Sequence, residues 1–184
     1  MIYSFTPFSV EKNFGKAINQ CCSIVPNDED WICIRDGDAM NLTPDWGNII
    51  QDAIDKYGSD YQLFGCLTNR LNKDNGGHQI VSKSCYDDFD MMYHYYLAKS
   101  FTDLANNTIC PVHSIAGFFM LFQKKTWILA GGFTENSKAF DVKFCNDLKK
   151  KGGKIGLINT LYMFHLYRIW AKGDAGRDSK HLNP

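Results

Sequence analysis

Three pairs of aspartates in this 184-residue chain are spaced i, i+2: Asp28–Asp30, Asp36–Asp38 and Asp88–Asp90. Two carboxylates at that spacing, leaving a strand end, can turn toward one hard divalent cation. Mg²⁺ or Mn²⁺ often takes only one or two carboxylates plus substrate phosphates. The motif is short, and chance alone supplies about one or two such triplets in a chain rich in aspartate. Context separates the three. Only Asp36-Gly37-Asp38 follows a continuous apolar run, Trp31–Ile34, that reads as a buried strand. The first triplet precedes that strand, and the third opens an amphipathic helix. Asp36–Asp38 is therefore the candidate cation site, placed where ligands collect in α/β domains, beyond the carboxyl ends of the strands. The same residues also make a plain turn, since Asp and Gly favour turns for backbone reasons.

Composition narrows the classes of function. Lys+Arg and Asp+Glu balance at 20 each, which argues against broad nucleic-acid or membrane-surface binding. Hydrophobic residues at 45% and aromatics at 14% supply a sizeable core for a chain of one-domain length. The cysteines at 21, 22, 33, 66, 85, 110 and 145 form no C-x-x-C pair. They read as reduced thiols and, with no basic-then-apolar leader at the start, as those of a cytoplasmic protein. The longest apolar stretch, Ile115–Phe122, is too short to span a bilayer, so no transmembrane segment is expected.

The elements that must position Asp36 and Asp38 follow from periodicity. Ile2–Phe5 reads as a strand closed by Thr6-Pro7. Ser9 is a cap for a helix with Val10, Phe14, Ala17, Ile18 and Cys21 on one face. Thr43-Pro44 starts a second helix with Trp46, Ile49, Ile50, Ala53, Ile54 and Tyr57 inward and Gly58 as its stop. Tyr61–Thr68 reads as a strand, Asn69–Gly77 as a loop and Gln79–Ser82 as a short strand. Asp87 or Asp88 caps a helix whose stripe of Phe89, Met92, Tyr93, Tyr96 and Leu97 is expected in the core. Asn106–His113 reads as a loop, Ile115–Phe122 as a buried strand, and Lys124–Ala130 as a short helix ended by Gly131-Gly132. A helix from about Lys138 to Lys151 and two short strands, Lys154–Ile158 and Leu161–Phe164, follow, with His165 after the last. Residues 1–170 make a single domain, and 171–184 a flexible tail or lid. The alternation predicts an α/β fold with a mostly parallel sheet flanked by helices and a few short antiparallel strands.

Four stretches in this order resemble the nucleotide-sugar glycosyltransferases of the GT-A fold, family 2 most of all. Asn13-Phe14-Gly15-Lys16-Ala17-Ile18-Asn19 resembles the family's N-x-G-x-A-x-N helix start. Arg35-Asp36-Gly37-Asp38 resembles its metal-binding D-x-D. Ala130-Gly131-Gly132-Phe133-Thr134-Glu135 resembles its G-G-F-D-E turn, with threonine for aspartate. Asp141 through Gly152 resembles its E-D-x-D-L-x-x-R-x-x-x-G helix, and His165 the histidine that closes the next strand pair. Two departures stand out. Only about thirty residues precede the D-x-D, so the comparison with the family leads one to expect no counterpart of its second strand and base-reading acidic residue, a shortened nucleotide-binding half. Phe140 replaces the glutamate of the E-D pair.

The resemblance implies a Rossmann-like GT-A domain and a metal-dependent, inverting transfer of a sugar from a UDP- or GDP-sugar donor to a hydroxyl acceptor. It implies that Asp38 and His165 bind Mn²⁺ or Mg²⁺, that Asp36 and Arg35 lie by the donor, and that Thr6, Pro7, Asn13 and Lys16 line its side. Asp141 is then the general base, and Arg168, Arg177 and Lys180 are weaker candidates for closing over the diphosphate. Asp141 falls in the first turn of its helix, where the dipole favours the ionised carboxylate. Because His165 ends a strand, its replacement by alanine is expected to leave the fold intact. A second copy covering exposed aromatic surface left by the missing strand would make a homodimer. Two other readings stay open: a non-catalytic sugar- or partner-binding relic, and a Mg²⁺-dependent nucleotidyltransferase. The latter would want a glycine- and arginine-rich loop after the first strand, and Thr6–Glu11 offers none.

Overall fold

The computed structural model describes residues 1–71, 78–82, 85, 88–104 and 108–166. Its elements run β1 (Ile2–Phe5), α1 (Phe14–Ser23), β2 (Trp31–Arg35), β3 (Ala39–Asn41), α2 (Trp46–Tyr57), β4 (Leu63–Thr68), α3 (Met91–Leu104), β5 (Ile109–Val112), β6 (Phe119–Gln123), α4 (Lys124–Ala130), α5 (Phe140–Lys150) and β7 (Ile155–His165). The strands form one seven-stranded sheet in the order β1-β2-β6-β4-β7-β3, with β5 also on β7.

The α/β class is as predicted, but the sheet is mixed rather than mostly parallel. β1 pairs with β2, and β4 with β7, in parallel; β6, β3 and β5 make antiparallel ladders. The cause is β6. It follows β5 after only residues 113–118, with no crossover helix, inserts between β2 and β4, and runs against both. Because β2 and β4 are each antiparallel to β6, they point the same way, and β1 and β7 point with them. Four carboxyl ends therefore gather at one edge of the sheet: those before Thr6, Asp36, Asn69 and after His165.

The sheet cannot be flat. From Arg35 to Ala39 the chain spans at most ~14 Å, whereas β2 and β3 are separated by four strand spacings, ~19 Å in a flat sheet. The ladders show how the distance closes. The β4–β7 pairing jumps from Cys66↔Ile158 to Leu67↔Tyr162, an irregularity that bends β7. β4 pairs with β6 only at Leu63 and Phe64, so the outer halves of β4 and β7 are released from β6. With β3 alongside, the end of β7 folds back over the start of β6 toward Asp36.

Helices cover both faces. On one, Ile18 and Cys22 of α1, Ala130 of α4, and Phe144, Cys145 and Leu148 of α5 pack on Ile32, Ile34, Met120, Phe122 and Ile155. On the other, Ile50 and Ala53 of α2 pack on Trp31, Cys33, Phe64, Cys66, Phe119 and Leu121. α3 covers Leu157, Tyr162 and Phe164. No described helix is long and apolar enough to cross a membrane.

Several expected boundaries move for local reasons. α1 is capped by Asn13, not Ser9, and Val10 is exposed. Ser9 instead accepts the Asn13 N–H, closing the turn before the helix. α2 starts after Asp45, because the Thr43 hydroxyl is taken by the Tyr162 carbonyl of β7. Within the stretch read as a loop after Asn106, Ile109–Val112 is a strand, and Ala39–Asn41 forms a further strand that periodicity does not signal. The two strands expected near the end are one, β7. Of Gln79–Ser82 only Ile80 bridges, to Thr68. The stripe expected to be core on α3 is mostly exposed at Phe89, Met92, Tyr93 and Tyr96; the buried line is His94 and Ala98, flanked by Leu97 and Phe101. His94 fits there because its nitrogens meet the Tyr162 hydroxyl at 2.7 Å and the Asp88 carbonyl at 3.1 Å. Residues 72–77, read above as loop, Asp87, read as a cap, and the tail from 171 lie outside the described residues.

The two glycine-bearing stretches at Asn13 and Gly131 form one latch. Asn13 Oδ1 accepts the N–H groups of Lys16 and Asn136. Asn19 accepts from Trp127 Nε1 and the Phe133 N–H, and donates to the Phe133 carbonyl. Between them, a Cβ on Gly15 would lie 2.3 Å from the Thr134 carbonyl oxygen. Gly15→Ala is therefore expected to destabilise the fold by roughly 1–3 kcal/mol, the usual cost of overpacking. Gly47→Ala, where a Cβ meets nothing within 4 Å in helix α2, should instead gain roughly 0.5–1 kcal/mol. Urea unfolding of both variants checks the contrast.

Candidate metal centre and its flanking carboxylate

Backbone bonds fix the turn that carries the two aspartates. The Asp36 N–H donates to the Phe118 carbonyl at 2.9 Å, the Ala39 N–H to the Asp36 carbonyl at 3.3 Å, and the Leu166 N–H to the Asp38 carbonyl at 3.0 Å. β3 and β7 pair Ala39 with His165. Asp36, Asp38 and His165 thereby each place one candidate ligand atom within 4.8 Å of the others. His165 Nε2 lies 3.3 Å from Asp38 Oδ1 and 3.7 Å from Asp36 Oδ2.

The histidine's tautomer follows from its partner. Nδ1 lies 3.0 Å from the Arg70 carbonyl, which can only accept, so Nδ1 carries the hydrogen and Nε2 is turned to the carboxylates. In the neutral ring that nitrogen presents a lone pair to two negative groups, an arrangement that a cation relieves. Two carboxylates and an imidazole fit Mn²⁺ or Mg²⁺, and the imidazole suits Mn²⁺ better. The ring is buried, at 2% exposure, and stacks on Phe118 at 5.1 Å. The expectation that His165 stands clear of the core is thus corrected: it ends its strand, yet it is packed.

The other two triplets are explained without a ligand. Asp28 pairs with Lys124 at 3.7 Å, and Asp30 accepts from Asn27 at 3.0 Å. Asp88 accepts the Asp90 N–H, and Asp90 accepts those of Met92 and Tyr93, which starts α3.

Asp141, in the first turn of α5, is tied to the same centre through Gly117-Phe118. Its Oδ2 accepts the Gly117 N–H at 3.0 Å and its Oδ1 the Val142 N–H at 2.8 Å. The Phe118 carbonyl holds Asp36 and the Phe118 ring holds His165, so one short turn positions all three. Gln79 anchors that turn from beneath, accepting from Ala116 N–H and donating to the Cys66 carbonyl. Phe140 packs over it, its ring 2.8 Å from where a Gly117 Cβ would sit, and stacks on Phe14 at 6.2 Å. Burial pushes the Asp141 carboxyl upward, outweighing the backbone N–H groups that favour the anion. The dipole argument alone thus gives the wrong sign of shift. Burial also pushes Asp36 up to about 6, against the pull of His165 and with the repulsion of Asp38 and Asp141.

The remaining sequence candidates divide. Thr6 lies at this edge, its Cγ2 3.5 Å from a Cβ position on Gly37, and Pro7 follows it. Arg35 sits over the Trp46 ring at 5.7 Å, and its Nε is buried without a hydrogen-bond partner among the described residues. Asn13 is buried with its oxygen taken by the latch, and Lys16 forms an exposed pair with Glu11 at 3.1 Å. Arg168, Arg177 and Lys180 lie outside the described residues. Sequence reasoning missed Asn69, Arg70, Gln79 and Phe118; for the first two, the one available signal was their place directly after a buried strand. No protein-family profile matches the chain, and no curated protein matches it.

A carboxyl raised in the folded state holds a proton that the unfolded chain has lost. Stability attributable to Asp36 is therefore present below its ordinary value, 3.8, and is lost as pH rises through about 6. In excess chelator, Asp36→Asn is expected to melt higher than the parent at about pH 8 and to show no such gain at about pH 4. The side chain keeps 37% exposure, so solvent screens part of the effect. Thermal melts at the two pH values read it directly.

Proposed function

We propose that this chain is a metal-dependent, inverting glycosyltransferase of the GT-A type. It would move a sugar from a nucleotide-sugar donor to an acceptor hydroxyl. The observation that carries the reading is the convergence of Asp36, Asp38 and His165 from two distant strands, with Asp141 held beside them by the Gly117-Phe118 turn.

Asp38 and His165 are the residues that would hold Mn²⁺ or Mg²⁺, with Asp36 toward the ribose or sugar hydroxyls. When bound, the cation neutralises charge developing on the leaving diphosphate. The chain's own groups do the rest. Thr6, Pro7 and Arg35 line the donor side at the sheet edge. Asp141 accepts the acceptor's hydroxyl proton as the new glycosidic bond forms and the diphosphate departs. One base and direct attack give inversion. The upward push on Asp141 suits this task, since a base is most effective when its pKa approaches the working pH.

A second reading, a non-catalytic sugar- or partner-binding relic, is favoured by one observation. Asn13, Gly15 and Asn19 are fully accounted for by the latch with residues 131–136, so that motif needs no donor to explain it.

Two experiments separate the readings. UDP or GDP is expected to raise the melting temperature only with Mn²⁺ or Mg²⁺ present, by about 2.7 kcal/mol of stabilisation at a hundredfold excess over Kd. Equal stabilisation in excess chelator would argue against the Asp36–Asp38 assignment. Asp141→Asn retains one oxygen to accept the Gly117 N–H and hold the turn, so it should bind metal and nucleotide about as the parent does, yet transfer about 10²–10⁴-fold more slowly. Calorimetry beside a transfer assay checks both, and a parent that turns over no donor favours the relic.

A further inference from the structure

We propose that Asn69, together with the carbonyl of Arg70, is the device that presents His165 to the cation. The proposal rests on the cation site read above, and it gives the turn after β4 a positioning role. The parallel β4–β7 ladder ends at Thr68↔Met163. Two residues further along β7, no described strand pairs with His165 on that side. Asn69 Oδ1 takes the His165 N–H at 2.7 Å, so a side chain extends the ladder by one bond. On the other side, β3 holds His165 through its pairing with Ala39. The main chain at the ligand is thus clamped from both flanks.

The ring is clamped as well. The Arg70 carbonyl fixes the hydrogen on Nδ1, and Phe118 stacks on the ring face. Adjacent residues of one turn therefore fix the backbone and the tautomer of a single imidazole. Such outer partners hold a metal-binding histidine in its working orientation.

Asn69 is fully buried, and its Nδ2 has no hydrogen-bond partner among the described residues. Leaving a buried amide donor unsatisfied is unfavourable. An apolar residue of similar size would avoid that but would leave His165 N–H without an acceptor. The oxygen is the part of Asn69 that the fold uses. The His165 N–H, which can only donate, sets the amide's orientation, and the Thr68 hydroxyl lies 3.3 Å from the same oxygen.

The test uses the full chain labelled with ¹⁵N-histidine, and Mn²⁺ alone as the probe. In the metal-free parent with the ring neutral, long-range ¹H–¹⁵N correlation should show His165 protonated at Nδ1. Asn69→Ala, shown by circular dichroism to be folded, should bind Mn²⁺ about 10–100-fold more weakly in an electron-paramagnetic-resonance titration. Asn69→Asp keeps the accepting oxygen and should bind at least as tightly as the parent. Mn²⁺ affinity of Asn69→Ala within twofold of the parent overturns the proposal, as does a neutral parent ring protonated at Nε2. Should the alanine variant not fold, Asn69→Asp decides, and a loss of affinity there overturns it. A parent that binds neither Mn²⁺ nor Mg²⁺ overturns the proposal together with the cation site. A parent that binds Mn²⁺ but transfers no sugar leaves the Asn69 comparison intact and removes only the transferase reading.

Discussion

A link of three residues, Asp36–Asp38, has to carry the chain from the second strand of the sheet to its far edge. No flat sheet permits this, and the irregularity in β7, the early parting of β4 from β6 and the short β3 are the means by which the edge is brought near. The same constraint makes the site. Because the link is short, the strand it reaches must pair with the end of β7, and that strand ends in histidine. The acidic turn and the imidazole meet as a consequence of chain length.

Once formed, the cluster works against the fold that holds it. Two carboxylates face one imidazole, a third carboxylate lies within reach of their field, and burial raises both Asp36 and Asp141. Functional sites commonly carry such local conflict, compensated by packing elsewhere. Here the compensation is visible in the Gly117-Phe118 turn. It supplies an N–H to Asp141, a carbonyl to Asp36 and an aromatic face to His165, and it is itself held by Gln79. The turn carries no charge, which is why a reading based on chemically reactive residues passes over it.

Much of the sheet was legible because its central strands are apolar on both faces. Trp31–Ile34 and Leu63–Leu67 are continuous buried runs, and no other structure accommodates them as well. Legibility failed where burial and polarity part company. β5 contains Pro111 and an exposed Cys110 and reads as loop until the edge of β7 is known to lie beside it. α3 turns His94 inward and leaves tyrosines and methionines outside, so a count of apolar residues picks the wrong face. By sequence β7 reads as two strands parted at Asn159-Thr160, where the register jump lies, and the polar break marks a bend and not an end. Of the site, Asp36 and Asp38 were legible through the strand before them. Asn69 was not, because its role depends on a strand almost a hundred residues later, and no local pattern encodes that meeting.

The latch between Asn13, Gly15, Asn19 and residues 131–136 bears on how any mutational survey of this protein should be interpreted. These positions sit in the stretches that invite a catalytic reading, yet their hydrogen bonds join helix to turn. Loss of activity on changing them would reflect how much protein is correctly assembled before it reflects chemistry. A screen that scores turnover per cell would mark them as active-site residues; one normalised to the folded fraction would sort them with the scaffold. The same motif can thus persist under selection for architecture in a lineage where turnover has lapsed, and its presence alone is weak testimony about what a chain still does.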